Sequence, residues 1–359
     1  MKKAAPATAP GLCLLPVTRR ESGRARRLNA LLRLLPRYHT NRRWNAKTVQ
    51  AAVRTAQFLL SDGLIGRGEV ACRTILIDGR RLRLRLLFPA GSRRGLYVHF
   101  HGGAWVMGNA RLDDGITRPI AAECGMMVAG VDFHNAIDDR LDITLQDCKA
   151  AVEWVVEHLG ELQVERIIIG GESSGAHLAA EALLHLRERG RADAVAGFVS
   201  VCGAFDLTGS DSLRRSTGTS LIIDGPAALH NLRRLTRSLS GREAEGPLSA
   251  DLSGLPPALL IAAALDPIVD DSLSMARQWQ EQSGNADCVV VPDAPHAIGS
   301  QRSWRSRQTP LSGSGFCERS HRLTADQDRR GGGDCLCTLL HSALLNDSRW
   351  LGSPATTIA

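Results

Sequence analysis

Gly171-Glu172-Ser173-Ser174-Gly175 is the segment of this chain best suited to covalent chemistry. A serine hydroxyl is a weak nucleophile until a base takes its proton, and it must stand clear of the backbone to reach a carbonyl carbon. The spacing G-x-S-x-G serves the second need: small residues on both sides let the chain turn sharply from strand to helix with the serine at the apex. The flanks agree with that shape. Ile167-Ile168-Ile169 runs in as an apolar strand, and Ala176–Leu186 leaves as a helix, whose N-terminus favours developing negative charge. In a chain with 35 glycines the alternative is a plain Gly/Ser turn.

A second run of small residues, His101-Gly102-Gly103-Ala104-Trp105, follows the apolar segment Leu96–Phe100. The backbone N–H groups of Gly102, Gly103 and Ala104, with that of Ser174, are the expected donors to an oxyanion. His101 is assigned to shaping this loop through its own bonds, not to proton transfer. The base and its orienting acid are expected beyond Ser173, after later strands. Asp266 follows Leu259–Ala264, and His296 follows Cys288–Val291 in Asp293-Ala294-Pro295-His296. Asp270 and Asp271 are rival acids that read as caps of the next helix. His177 and His134 are weaker rivals for the base.

These residues need a scaffold, and the hydropathy pattern supplies one. Apolar strands at Leu96–Phe100, Met126–Val131, Arg166–Ile169, Ala194–Val201, Ala258–Ala264 and Cys288–Val291 alternate with helices at Asp113–Cys124, Asp147–Leu159, Gly175–Arg189 and Asp271–Gln282. Repeated β–α alternation predicts an α/β fold, a mostly parallel central sheet with helices on both faces. Ala71–Ile77 and the strict Arg/Leu alternation of Arg81–Leu86, joined at Asp78-Gly79, predict an antiparallel hairpin at one edge. Upstream, leucine and alanine stripes at Arg24–Leu35 and Thr48–Leu60 predict two basic amphipathic helices, the second capped by Thr48.

Together these motifs resemble the hormone-sensitive lipase-like (family IV) esterases of the α/β-hydrolase superfamily, over about Val70–Ile298. The resemblance rests on His101–Trp105, Gly171–Gly175, Asp266–Asp271 and Pro295-His296. It implies the α/β-hydrolase fold, an N-terminal helical cap, Ser173 as nucleophile, His296 as general base and acid, and Asp266 as its orienter. It also implies an oxyanion hole from the loop Gly102–Ala104 and from Ser174. Glu172 and Ser174 stand where the family usually has Asp and Ala, and Val131–Asp142 lacks the family's Tyr-Arg-Leu-Ala-Pro-Glu run.

Charge and composition set the domain reading. Residues 1–65 form a basic arm with the cap helices: Met1–Leu60 carries thirteen Lys/Arg and one acidic residue, so it holds +12 while the rest of the chain is −5. Residues 66–299 form the catalytic domain, with the polar stretch 204–255 as an excursion over the active end of the sheet. Residues 300–359 are Ser/Arg/Gly-rich and without periodicity, a tail expected to be disordered. Its composition changes near residue 298 as a shift of reading frame would change it.

The nine cysteines lack zinc or redox spacing and fit reduced thiols in the cytoplasm. No stretch approaches the ~18 consecutive apolar residues of a membrane span. The expected substrate is a small ester, with no metal, no cofactor and no nucleic acid, and homodimerisation is left open. The expected activity is a short-chain carboxylesterase. An amidase or arylformamidase-like hydrolase, or a catalytically impaired ligand-binding member of the fold, are the alternatives.

Overall fold

The computed structural model describes residues 12–15, 19–34, 43–59, 70–77, 79–91 and 93–296. The tail at 300–359 lies outside the described residues. In chain order the elements are β1 (Leu12–Leu14), α1 (Arg19–Leu32), α2 (Arg43–Leu59), β2 (Val70–Ile77), β3 (Arg80–Leu87), β4 (Leu96–Phe100), α3 (Asp114–Cys124) and β5 (Met127–Asp132). There follow α4 (Leu141–Glu157), the single turn α5 (Leu159–Leu162), β6 (Ile167–Glu172), α6 (Ser174–Glu188) and β7 (Val195–Val201). The excursion carries α7 (Asp211–Arg215), α8 (Gly225–Leu235) and α9 (Gly241–Glu245), and β8 (Ala258–Ala263), α10 (Val269–Ser283) and β9 (Ala286–Val291) close the fold.

The nine strands form one sheet in the order β1-β9-β8-β7-β6-β4-β5-β3-β2. All pairs are parallel except β2 with β3 and β3 with β5, as the edge hairpin requires. Side chains alternate between the two faces. Leu96, Val98, Phe100, Ile167 and Ile169 enter one core with α4, α6 and α10, and Tyr97 and Ile168 enter the other with α3. Both faces are covered, which explains why the strands read as continuous apolar runs.

Several elements differ from the sequence reading, for local reasons. α4 begins six residues early, at Leu141, because Leu141 and Leu145 continue the stripe of Cys148, Val152 and Val155; the polar run Asp138-Asp139-Arg140 hides it. Thr48 is not a cap. It lies inside α2 and turns its hydroxyl back onto the Asn45 carbonyl at 2.9 Å. The short apolar piece Leu12–Leu14 is an edge strand paired with Cys288–Val290 of β9, a pairing that no local pattern announces. Among the described residues no helix is long and apolar enough to cross a membrane.

The Arg/Leu alternation of β3 also breaks informatively. Arg81 and Arg83 are exposed, but Arg85 is buried. There β3 runs between β2 and β5, and Asp114 of α3 meets the Arg85 guanidinium with two hydrogen bonds of 2.9 and 2.7 Å. Removing one partner of a buried pair strands the other charge. Arg118 also bonds Asp114, at 3.0 Å, so the acid keeps one partner, and Arg85→Ala is expected to lower stability by about 1–3 kcal/mol in urea unfolding; a loss below about 0.5 kcal/mol would place this pair with ordinary surface ion pairs.

Candidate active site

Ser173 sits at φ 56°, ψ −122°, between the last residue of β6 and the first of α6. The glycines around it have a steric cause. A Cβ on Gly175 would lie 2.0 Å from the Phe100 carbonyl oxygen, and one on Gly171 would lie 2.5 Å from the same atom. The turn is thus pressed against the end of β4, where the loop His101–Trp105 begins. Ser173 donates its N–H to Val201 of β7, and its carbonyl accepts from Ala176 and Ala204. These bonds hold the turn from three sides.

The structure brings Ser173, His296 and Asp266 into one hydrogen-bonded chain. His296 Nε2 lies 2.8 Å from Ser173 Oγ, and His296 Nδ1 lies 2.7 Å from Asp266 Oδ2. With the imidazole neutral, one arrangement of protons satisfies all three groups: Nδ1–H donates to the carboxylate, and Nε2 accepts from the serine hydroxyl. Asp266 is fixed in turn, since Oδ1 accepts the Ile268 N–H at 3.0 Å. The loops after β8 and β9 are tied together by Leu265 N–H to the Ala294 carbonyl, at 2.8 Å.

His296 and Asp266 are buried. Burial alone works against a charged imidazole, but the Asp266 carboxylate outweighs it through charge and hydrogen bond, with Glu172 and Asp271 adding to the effect. The net result is an imidazole held above its ordinary range.

The loop after β4 adjoins the serine. A Cβ on Gly102 would come within 3.2 Å of the Glu172 carbonyl and 3.6 Å of Ser173 Cβ. Gly103 has φ 129°, and any side chain there would collide with the Met107 carbonyl at 2.0 Å. Ala104 and Trp105 also have positive φ. Among the described residues the amides of Gly103 and Ala104 have no acceptor, and Ser174 N–H opens α6, where no helical carbonyl precedes it. Gly102, Gly103 and Ala104 line the same cavity as Ser173 and His296.

His101 does not line that cavity. It is buried, stacks on Phe133 with ring centroids 4.0 Å apart, and donates Nδ1–H to the Gly102 carbonyl at 2.8 Å. Burial keeps its pKa low despite the pull of Asp113, so it is a neutral ring that braces the loop. His177 is likewise neutral. Burial, with Arg242 nearby, pushes its pKa down to about 3, and its Nδ1 accepts from Trp105 Nε1–H at 3.1 Å. His134 lies on the loop before α4, 2.9 Å from Asp138.

The rival acids do not cap their own helix. α10 starts at Val269 with no side-chain cap bond. Asp270 accepts from Ser212 N–H at 2.9 Å, and Asp271 accepts from the amides of Phe205 and Asp206 at 2.7 and 2.9 Å. Both anchor the 204–255 excursion. Burial pushes the Asp271 carboxyl up to about 7. The sequence offered two adjacent acids at a helix start and no sign that a loop 58 to 66 residues upstream would claim them.

Two helices from the basic arm reach the same site. Gln50 of α2 exchanges a reciprocal pair of hydrogen bonds with the backbone of Gly108, at 2.9 and 2.8 Å. Asn29 of α1 donates to the Asp293 carbonyl at 2.9 Å, and the Ser22 hydroxyl donates to the Asp293 carboxylate. One helix thus holds the loop after β4, and the other holds the loop that carries His296. Neither contact had a motif in the sequence. The cavity itself measures about 680 Å³, with Leu32, Leu213, Ile222 and Leu232 on its apolar wall.

Among the described residues, Cys202, Asp266 and His296 form a set whose ligand atoms lie within 4.8 Å of one another. Such donors could hold a transition ion in another setting. Here both ring nitrogens of His296 are already engaged, so the imidazole has no lone pair left for an ion.

A strained serine at a strand–helix turn, an imidazole on its hydroxyl, a carboxylate behind it and open amides alongside define the class of serine hydrolases built on a parallel sheet. The pattern of a family described as alpha/beta hydrolase fold matches residues 97–300, and the chain belongs to that family, in its hormone-sensitive lipase-like branch. It is similar to an arylesterase from Saccharolobus solfataricus, 28% identical over 244 residues, covering 66% of this chain and 80% of the relative. An acetyl esterase from Salmonella schwarzengrund is 26% identical, covering 60% of this chain and 68% of that protein. In structure, an esterase from Pyrobaculum calidifontis superposes with a TM-score of 0.63 at 28% identity, covering 71% of this chain and 86% of the other.

The charges facing His296 give a direct expectation. In a ¹⁵N NMR titration its imidazole titrates above the ordinary value of about 6.5. Because Glu172 favours the charged ring, Glu172→Gln moves the midpoint down. A midpoint below about 6.5 in the unsubstituted protein would contradict the described electrostatics.

Proposed function

We propose that this protein is a serine carboxylesterase that cleaves short-chain carboxylic esters through an acyl-enzyme on Ser173. The observation that carries the reading is the continuous chain from Ser173 Oγ to His296 to Asp266, with links of 2.8 and 2.7 Å. Ser173 Oγ attacks the ester carbonyl while His296 Nε2 takes its proton. Asp266 keeps Nδ1–H in place and stabilises the imidazolium that forms. The carbonyl oxygen becomes an oxyanion held by the amides of Gly102, Gly103, Ala104 and Ser174; one such donor is typically worth about 2.7–4 kcal/mol. Collapse breaks the carbonyl–alkoxide bond, and the alcohol leaves with the proton from Nε2. A water molecule then repeats the two steps on the acyl-enzyme and frees the acid.

The short-chain preference is supported by relatives described as arylesterase and acetyl esterase. A cytoplasmic setting is our reading of five described cysteines without disulfides.

Purified protein is expected to hydrolyse p-nitrophenyl acetate and butyrate well and the dodecanoate poorly, and Ser173→Ala to lower kcat by at least about 10³-fold. A folded protein no faster than Ser173→Ala on all three would overturn the reading. Turnover of an N-formyl aryl amide in preference to the esters would redirect it to amide substrates.

A further inference from the structure

We infer that the substrate cavity selects esters carrying a positive charge, such as an alkylammonium group, and discriminates against anionic ones; this rests on the esterase reading of the site. The cavity is lined by Asp113, Glu172, Asp206, Asp224 and Asp271, and among the described residues it has no Lys or Arg in its wall. Asp113 is already committed to His99, at 2.8 Å. The argument turns on Asp206 and Asp271, which are neighbours: the Asp206 N–H donates to Asp271 Oδ2.

Asp206 is half-buried. Only its Oδ1 is bonded among the described residues, to the amide and hydroxyl of Thr208 at 2.8 and 2.6 Å. Asp271 is 2% exposed; its Oδ1 makes no hydrogen bond of ordinary length, although the Ser210 hydroxyl also acts on the carboxyl. A buried acceptor short of a donor costs free energy that a ligand can recover. Two carboxyls side by side, one of them underbonded in this way, call for a donor with positive charge. Burial and the Asp206 charge both oppose ionisation of Asp271, and a bound cation would relieve both. Asp224, which caps α8 by accepting the Ala227 N–H, also lines the cavity and adds negative potential. The apolar wall of Leu32, Leu213, Ile222 and Leu232 suits the hydrocarbon part of such a substrate.

The test compares two esters of the same shape: 2-(dimethylamino)ethyl acetate, whose protonated amine carries both the charge and an N–H, and its uncharged carbon isostere 3-methylbutyl acetate. Binding is measured by calorimetry on the Ser173→Ala protein, so the readout does not depend on turnover. The charged ester is expected to bind at least about tenfold more tightly, the scale of one charge in a half-desolvated pocket. Asp206→Asn in that background should cut the preference several-fold, as should Asp224→Asn, which serves if the first variant does not fold. Equal or tighter binding of the isostere, or a preference that both substitutions leave intact, would overturn the inference. In parallel, p-nitrophenyl acetate is offered to the unsubstituted protein. Failure there with charge selectivity intact would overturn the esterase reading alone.

Discussion

The tight contact between the Gly171–Gly175 turn and the end of β4 is the constraint on which the site depends. Ser173 occupies a backbone region that non-glycine residues avoid, at a cost of about 1–3 kcal/mol. It is kept there because the turn has no room to relax. Gly175 lies against the Phe100 and His101 carbonyls so closely that even a methyl group would overlap them. One contact therefore does two things. It projects the serine hydroxyl out of the sheet, and it sets the loop Gly102–Ala104 beside that hydroxyl. Parallel pairing of β4 with β6, in the register Phe100 with Gly171, fixes both at once.

The rest of the molecule stabilises loops that a bare sheet would leave free. α2 grips Gly108 through Gln50, and α1 grips Asp293, three residues before His296. The excursion between β7 and β8 is tied down from α10, through Asp270 and Asp271, and reaches back with Asn231 to the Ala104 carbonyl at 3.3 Å. Among the described residues no Lys or Arg of the arm lines the cavity, whose described wall is acidic. The same acidity acts on His296, where Glu172 and Asp271 reinforce the effect of Asp266. Raising the imidazole pKa favours proton uptake from serine but lowers the neutral fraction at acid pH.

Much of the fold was legible in the sequence because it rests on local periodicity. The triple isoleucine before the turn and the Asp-Gly hairpin each carry their own signal. The residues Ser173, Asp266 and His296 could be nominated from strand ends alone, and their meeting point could not be. What escaped the sequence were pairings over long separations: β1 with β9, Gln50 with Gly108, and Asp271 with the amides of Phe205 and Asp206. Each is a polar or edge contact between segments whose local patterns are unremarkable in isolation. Arg85 is the instructive intermediate case. Its alternation with leucine marks a strand correctly, but the burial of its guanidinium follows from α3 lying over that face, which no period-two pattern contains.

The central claim is that His296 and Asp266 activate Ser173 within the folded protein. Reaction with diisopropyl fluorophosphate, followed by peptide mass spectrometry, tests it most directly. The account requires one diisopropylphosphoryl group per chain, on Ser173, with labelling suppressed by His296→Ala and abolished by unfolding. A folded protein that stays unlabelled, or that carries the adduct on another serine, would contradict it.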